Sequence, residues 1–231
     1  LDYNIKNSDS TVFSLASIAK QFTASAIWAL ANDGKISLED DIRMYLPEFP
    51  EYKETIRIKH LLNHTSGIRN YMTLMYLAGF DYDTQYYDNN TVLDLAIKQK
   101  NLNHLVGEKV SYSNTNYNLL AIIIERISGQ NLNEYLKQKI LNPLKMNSTF
   151  VRVEHGKPIC NKAVGYQKHR DGYRFYTNDQ LSYGAGSMGS SVNDMAIWMQ
   201  MLNDQILEFK SLAEFLKMTE TLISGKNAKY A

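Results

Sequence analysis

Ser17 and Lys20 stand three residues apart in Phe13-Ser-Leu-Ala-Ser17-Ile-Ala-Lys20-Gln-Phe-Thr23, and no further charge follows until Asp33. A serine hydroxyl attacks a carbonyl carbon only if its proton has somewhere to go. A lysine amine can accept that proton when burial, or a neighbouring positive charge, lowers its pKa from about 10.4 toward neutrality. The bland alternative is a lysine whose ammonium reaches back to water from the first turn of a helix. The tetrapeptide alone does not choose between them.

Tyr112-Ser113-Asn114 is a second polar group. A phenol can relay protons, and a carboxamide can orient a lysine while binding a substrate amide. A turn with a capping Asn accounts for the same residues, and the two readings are compatible. His60 and His64 form an i, i+4 pair, the spacing of helical zinc sites. No Glu follows His60 and no third ligand stands out, so the pair reads as the closure of a helix end with Thr65-Ser66-Gly67 and not as a metal site. Gly184, Gly186 and Gly189 lack the strand and lysine of a phosphate loop, and there is no Gly-x-Ser-x-Gly elbow. No metal, nucleotide or other cofactor is implied.

These residues need elements to hold them. Ile18, Phe22, Ala26, Ile27, Leu30 and Ala31 recur at helical spacing, and the positions between them are small or apolar, which predicts a buried helix over about 17–33 carrying Ser17 and Lys20 on one face of its first turn. Thr55 to His64 predicts a second helix. The segment from Tyr71 through Tyr76, Phe80, Tyr82, Tyr86 and Tyr87 has no clean period; it is expected as loops with short helices that either line a cleft or pack over the core. A short helix from Thr91, capped by Asn90 or Thr91, comes next. Tyr112-Ser-Asn114 then sits on a polar loop feeding the apolar helix Tyr117 to Ile127, and Asn133 to Leu141 forms another helix before Pro143. Beyond Val151 the period changes. Asp171-Gly172 between two aromatic runs signals a hairpin, and Ser191-Val-Asn-Asp194 is a capping box that opens a helix to about Leu202, with a further short helix over about 210–218.

The composition narrows the classes. With 44% hydrophobic residues over 231 positions, a globular core is expected. A net charge of +1, from 25 basic and 24 acidic residues spread along the chain, excludes nucleic acid and anionic membrane as electrostatic partners. Cys160 is the one cysteine, so no internal disulfide forms. No apolar run is long enough for a membrane span. The opening Leu1-Asp-Tyr-Asn has no signal-peptide pattern and no initiator Met, and reads as a chain processed or cut from a longer protein.

Taken in order and at their spacing, Phe13 to Thr23, Asn63-His-Thr-Ser-Gly67, Tyr112-Ser-Asn114, Pro143-Leu-Lys-Met146 and Gly184 to Asp194 resemble the class C β-lactamase and penicillin-binding-protein-like serine hydrolases. The resemblance covers nearly the whole chain. It implies an α+β fold of the β-lactamase/transpeptidase type, helix-rich, read here as one catalytic-domain fragment with a helical region at about 51–150 and a sheet-associated part at about 151–231. It also implies that Ser17 is the acylated nucleophile, with its backbone N–H as half of the oxyanion hole. Lys20 activates it, Tyr112 relays a proton to and from the leaving group, and Asn114 contacts Lys20 and the substrate amide.

Two departures follow from the same comparison. The family's Lys-Thr-Gly or His-x-Gly strand is not found after Gly189, since Ser224-Gly-Lys226 has the wrong order, and only a dozen residues precede the nucleophile helix. The antiparallel sheet is therefore expected to be incomplete in this chain, and the 231 residues alone to be a poor catalyst. The implied substrate is a β-lactam, D-alanyl peptide, amide or ester, a small molecule or a peptidoglycan-like peptide. The resemblance places the protein outside the cytoplasm. The competing functions are a non-catalytic penicillin-binding or sensor-like module and an unrelated helical protein in which Ser17 and Lys20 are incidental.

Overall fold

A computed structural model describes residues 4–80, 85–176, 180–203, 205–218 and 221–227. Tyr82 of the aromatic segment and the opening Leu1-Asp-Tyr lie outside the described residues. The chain starts with strand β1 (Phe13–Ser14), and a 3-10 turn at Ala16–Ile18 leads into helix α1 (Ala19–Asn32). The predicted helix thus opens as a 3-10 turn through Ile18 and is α-helical from Ala19, while the left-handed backbone of Ala16, with φ +46°, bars any extension of the α-helix toward β1. The remainder of α1 is buried nearly all round, as its sequence requires.

Helix α2 (Ile58–Leu62) is shorter than its apolar period predicts. Residues before it are extended, since Ile42 N–H donates to the Ile56 carbonyl and Asp41 bridges Arg57, so the helix cannot start until Ile58. Helix α3 (Tyr71–Leu77) lies within the aromatic segment. Tyr71 and Tyr87 are buried in a small cluster with Met75 and Val92, whereas Tyr76 and Tyr86 face solvent. Helix α4 (Asn89–Ile97) is capped by Asp88, whose carboxylate accepts from Thr91 N–H at 2.9 Å, and not by Asn90 or Thr91.

Helix α5 (Asn114–Ser128) begins three residues before its apolar period does. Asn114 is therefore in its first turn and not on the preceding loop. Helix α6 (Leu132–Leu136) is followed by a π-helical turn at Lys137–Leu141 where a continuous helix was expected; the change of pitch puts both Ile140 and Leu141 in the core.

Strand β2 (Phe150–Val151), hairpin strands β3 (Gly165–His169) and β4 (Gly172–Tyr176), and strand β5 (Met188–Ser190) follow. The hairpin pairs His169 with Gly172, so its two-residue turn is Arg170-Asp171, one position earlier than the Asp-Gly signal. The sequence offers no strand signal at β5. This strand is the middle of an antiparallel three-stranded sheet in the order β1-β5-β2, with Ser14 and Phe150 both opposite Gly189. Helix α7 (Val192–Leu202) opens on Ser191, whose hydroxyl accepts from Asp194 N–H. Asp194 does not complete the box. Its carboxylate accepts from Ser148 N–H and the Thr149 hydroxyl, tying the approach to β2 onto α7. Helix α8 (Lys210–Leu216) ends the helical part.

The core lies where α1 packs on α5, α6 and α8. Trp198 of α7 is wholly buried with its ring stacked on Phe22 of α1 at 4.1 Å, and its indole N–H donates to Gln21. Helix-rich, with small antiparallel sheets, the fold is α+β.

Candidate active site

All four residues singled out in the sequence meet at the junction of the 3-10 turn, α1 and the start of α5. The hydroxyls of Ser17 and Tyr112 are 2.7 Å apart. Lys20 Nζ lies 3.3 Å from Ser17 Oγ, 2.8 Å from Asn114 Oδ1 and 2.8 Å from the Ala185 carbonyl oxygen. The side chain does not snorkel: Lys20 is 4% exposed, while Ser17 is open to solvent and Tyr112 is 40% exposed. Burial brings the Lys20 pKa down from 10.5 to about 7.

The arrangement around Nζ has a chemical consequence. Carbonyl oxygens can only accept, so Asn114 and Ala185 each take one N–H of the amine. A neutral amine has two N–H groups and one lone pair. With both N–H groups so engaged, the lone pair of the neutral amine is left for Ser17 Oγ, 3.3 Å away. Lys20 Nζ also stands 4.8 Å from the centre of the Tyr112 ring and 5.6 Å from that of Tyr117.

Local structure sets these positions. The left-handed Ala16 turns the chain out of β1 so that Ser17 precedes α1 on a 3-10 turn. Leu15 N–H donates to the Met188 carbonyl, which locks that turn to β5. On the other side, the segment before β5 is pressed onto α1 and α5 at Gly184. Its carbonyl accepts from the Thr23 hydroxyl at 2.8 Å, its φ is +95°, and a Cβ there would run into the Tyr117 carbonyl and the Ala121 side chain. That close approach brings the next carbonyl, Ala185, onto Lys20. Asn114 is held by its amide oxygen on Lys20, and its nitrogen donates toward the thioether of Met72 at 3.2 Å.

Three participants were not foreseen from the sequence. Ala185 contributes a backbone group, which no side-chain pattern encodes; the crowding of Gly184 and Gly186 was the available signal. Met72 had none. His64 reads from the sequence as a helix-end residue within a family motif, with no role at the site, and in the structure its imidazole contacts the segment that carries Tyr112. The two histidines of the i, i+4 pair are engaged separately, since His60 Nδ1 accepts from Arg57 N–H and His64 Nδ1 from Ser113 N–H. Burial lowers both, His60 to about 4 and His64 to about 3. Among the described residues no group of three His, Cys, Asp or Glu side chains could hold a metal ion, and no helix is long and apolar enough to cross a membrane.

Comparison with known proteins agrees with the architecture. A family profile described as Beta-lactamase matches residues 2–228. A penicillin-binding protein of Bacillus subtilis is 31% identical over 234 residues, covering 95% of this chain and 51% of the relative. Protein flp of Staphylococcus aureus is 35% identical over 173 residues, or 72% of this chain and 33% of that protein. Among solved structures, the octameric penicillin-binding protein homologue from Pyrococcus abyssi superposes with a TM-score of 0.77 at 29% identity, covering 94% of this chain and 51% of that one. The chain thus spans about half the length of the Bacillus relative and a third of the staphylococcal one. With Ser17, Lys20, Tyr112 and Asn114 all inside a profile that takes in nearly every residue, this chain belongs to the beta-lactamase family.

Proposed function

We propose that Ser17 is acylated by a strained or peptide-like carbonyl: a β-lactam, a D-alanyl peptide, or a related amide or ester. The observation that carries this is the buried Lys20 amine, 2.8 Å from each of two carbonyl oxygens and 3.3 Å from Ser17 Oγ, an arrangement that leaves the lone pair of the neutral amine for the serine hydroxyl. In the forward step Ser17 Oγ bonds to the carbonyl carbon and gives its proton to Lys20. The bond to the leaving group breaks, and Tyr112, 2.7 Å from the same oxygen, passes a proton to the departing nitrogen or oxygen. Water then attacks the acyl-serine by the reverse proton path, releasing the acid. Asn114 orients Lys20 through its oxygen and presents its N–H₂ to the substrate amide, displacing the Met72 thioether, a weak acceptor. The penicillin-binding relatives support a cell-wall-like peptide or its β-lactam mimic, and with it a place outside the cytoplasm.

Turnover by these 231 residues is proposed to be slow. Ser17 is open to solvent, and β1 beside it is bonded to β5 alone among the described strands. An oxyanion hole needs a second donor facing Ser17, and lacking one costs about 2.7–4 kcal/mol in the transition state. The same openness favours a second reading, a binding or sensor module that is acylated and does not turn over.

Mass spectrometry after incubation with a fluorophosphonate and with a penicillin tests both. One adduct on Ser17, absent in Ser17→Ala, is expected from each reagent. Loss of the penicilloyl adduct over time identifies a hydrolase, and its persistence identifies the sensor. A folded chain that gives no adduct from either reagent would sink both readings.

A further inference from the structure

His64 is the buried side chain that the acylation chemistry leaves without a task, and it sits where the chain turns out of α2. Its backbone is left-handed, with φ +56°, a conformation in which Asn, Asp and His are enriched among non-glycine residues. Its own carbonyl accepts from Ser111 N–H at 2.8 Å, and its side-chain Nδ1 accepts from Ser113 N–H at 3.3 Å. The residue between those two donors is Tyr112. The imidazole also packs against the phenol, with ring centres 4.6 Å apart, and against the Tyr117 ring, with centres 5.2 Å apart.

The chemistry of this contact fixes the tautomer. A backbone N–H only donates, so Nδ1 is the acceptor and the single ring proton of the neutral imidazole is on Nε2. Protonation of Nδ1 would break the bond to Ser113. Burial, with the Lys20 charge as a lesser cause, opposes it by pushing His64 down to about 3. The Asn116 amide nitrogen lies 3.3 Å from the same Nδ1, and Asn116 Oδ1 accepts from the Ser66 hydroxyl at 2.8 Å. The turn holding His64 is thereby tied to the first turn of α5, which carries Asn114.

We infer that His64 is a positioning residue: its backbone carbonyl holds Ser111 N–H and its neutral imidazole, protonated on Nε2, holds Ser113 N–H, so that the main chain is fastened on both sides of Tyr112 while the ring backs the phenol that meets Ser17 Oγ. Its catalytic consequence rests on the proton-relay role proposed above for Tyr112, whereas the placement of Tyr112 itself does not.

The test uses the full 231-residue chain with ¹⁵N-labelled histidine and tyrosine labelled with ¹³C at Cζ, as wild type, H64G and H64N. Both substitutions suit the left-handed backbone, and only Asn restores an acceptor at the position of Nδ1. The wild-type imidazole is expected as the Nε2–H tautomer. The Tyr112 Cζ resonance, assigned with Y112F, is expected to shift in H64G and return toward its wild-type position in H64N. Fluorophosphonate labelling of Ser17 should slow about 10- to 100-fold in H64G, the scale of a small misplacement of a catalytic group, and largely recover in H64N.

A wild-type Nδ1–H tautomer, or an unchanged Tyr112 resonance and labelling rate in folded H64G, overturns the inference. If H64G does not fold, the wild-type tautomer and the H64N resonance decide it. If wild-type Ser17 does not label at all, the hydrolase reading fails, and the tautomer with the Tyr112 resonance still decides the placement.

Discussion

Lys20 binds its proton differently in the folded and unfolded chain, and that difference is measurable without any substrate. Its pKa is about 7 when buried, against 10.5 for a free side chain. Below pH 7 both states hold the proton and the full cost of burying a charge is present. Between 7 and 10.5 the unfolded chain keeps a proton that the folded one has lost, so stability rises with pH, by up to about 1.4 kcal/mol per unit. Urea unfolding of wild type and Lys20→Met at pH 7 and pH 9.5 should therefore show wild type gaining stability relative to the variant; parallel pH dependences would contradict a neutral Lys20. With the neutral Lys20 amine as the proposed base, Ser17 labelling should rise with pH through about 7 and then level off. Tyr112→Phe removes the hydroxyl that meets Ser17 and leaves the ring. Labelling is expected to fall about 10²–10⁴-fold, with the melting temperature nearly unchanged because the phenol is partly exposed.

At the scale of elements, the site depends on how closely three pieces of chain approach. Helix α1 supplies Lys20, the first turn of α5 supplies Asn114, and the segment at Gly184 lies against both. Gly184→Ala should destabilise the fold by about 2–3 kcal/mol, because a Cβ is excluded by the Tyr117 carbonyl and disfavoured at φ +95°. It should also displace the Ala185 carbonyl from Lys20 and slow Ser17 labelling. Chemical denaturation reads the first effect and mass spectrometry the second, and a variant with wild-type stability would show that the segment is free to relax. The early start of α5 belongs here too. Ser113 and Asn114 have no apolar period, and the helix extends to them because the first turn is fastened from outside: Thr115 bonds Tyr71 and Arg69, and Asn116 bonds Ser66.

Across the whole molecule, stability is unevenly spread. Helix α5 is buried along most of its length, and α1 packs on it. The hairpin β3–β4 is exposed at nearly every residue, with Tyr173, Phe175 and Tyr176 open to solvent, and among the described strands its two strands pair only with each other. Hydrogen exchange should be fast at its amides and slowest in the middle of α5 and α1, since local opening costs least where little apolar surface is buried. Protection of the hairpin equal to that of α5 would mean that it docks on something. Placing this chain in the beta-lactamase family rests on the molecule as a whole, because the profile runs from residue 2 to residue 228 while the candidate site takes up only a few residues of it.

The sequence by itself determined the chemistry-bearing pairs and the buried helices. Ser17 and Lys20 lie within one turn of each other, and the uncharged run behind them predicts burial directly; the same holds for the apolar stretch of α5. Beyond what the family resemblance implied, one-dimensional reading could not reach what depends on contacts between distant segments. Asn114 and Ala185 are 94 and 165 residues from Lys20, and only the folded chain brings their oxygens to its amine. Strand β5 is three residues long, too short to show a period, and is defined by partners on both sides. His64 looked like a helix end because it is one; that its ring also supports Tyr112 follows from the packing of α2 on α5. Local spacing sets which groups could react, whereas the orientation of a lone pair is set by the acceptors around it, and those acceptors come from tertiary structure.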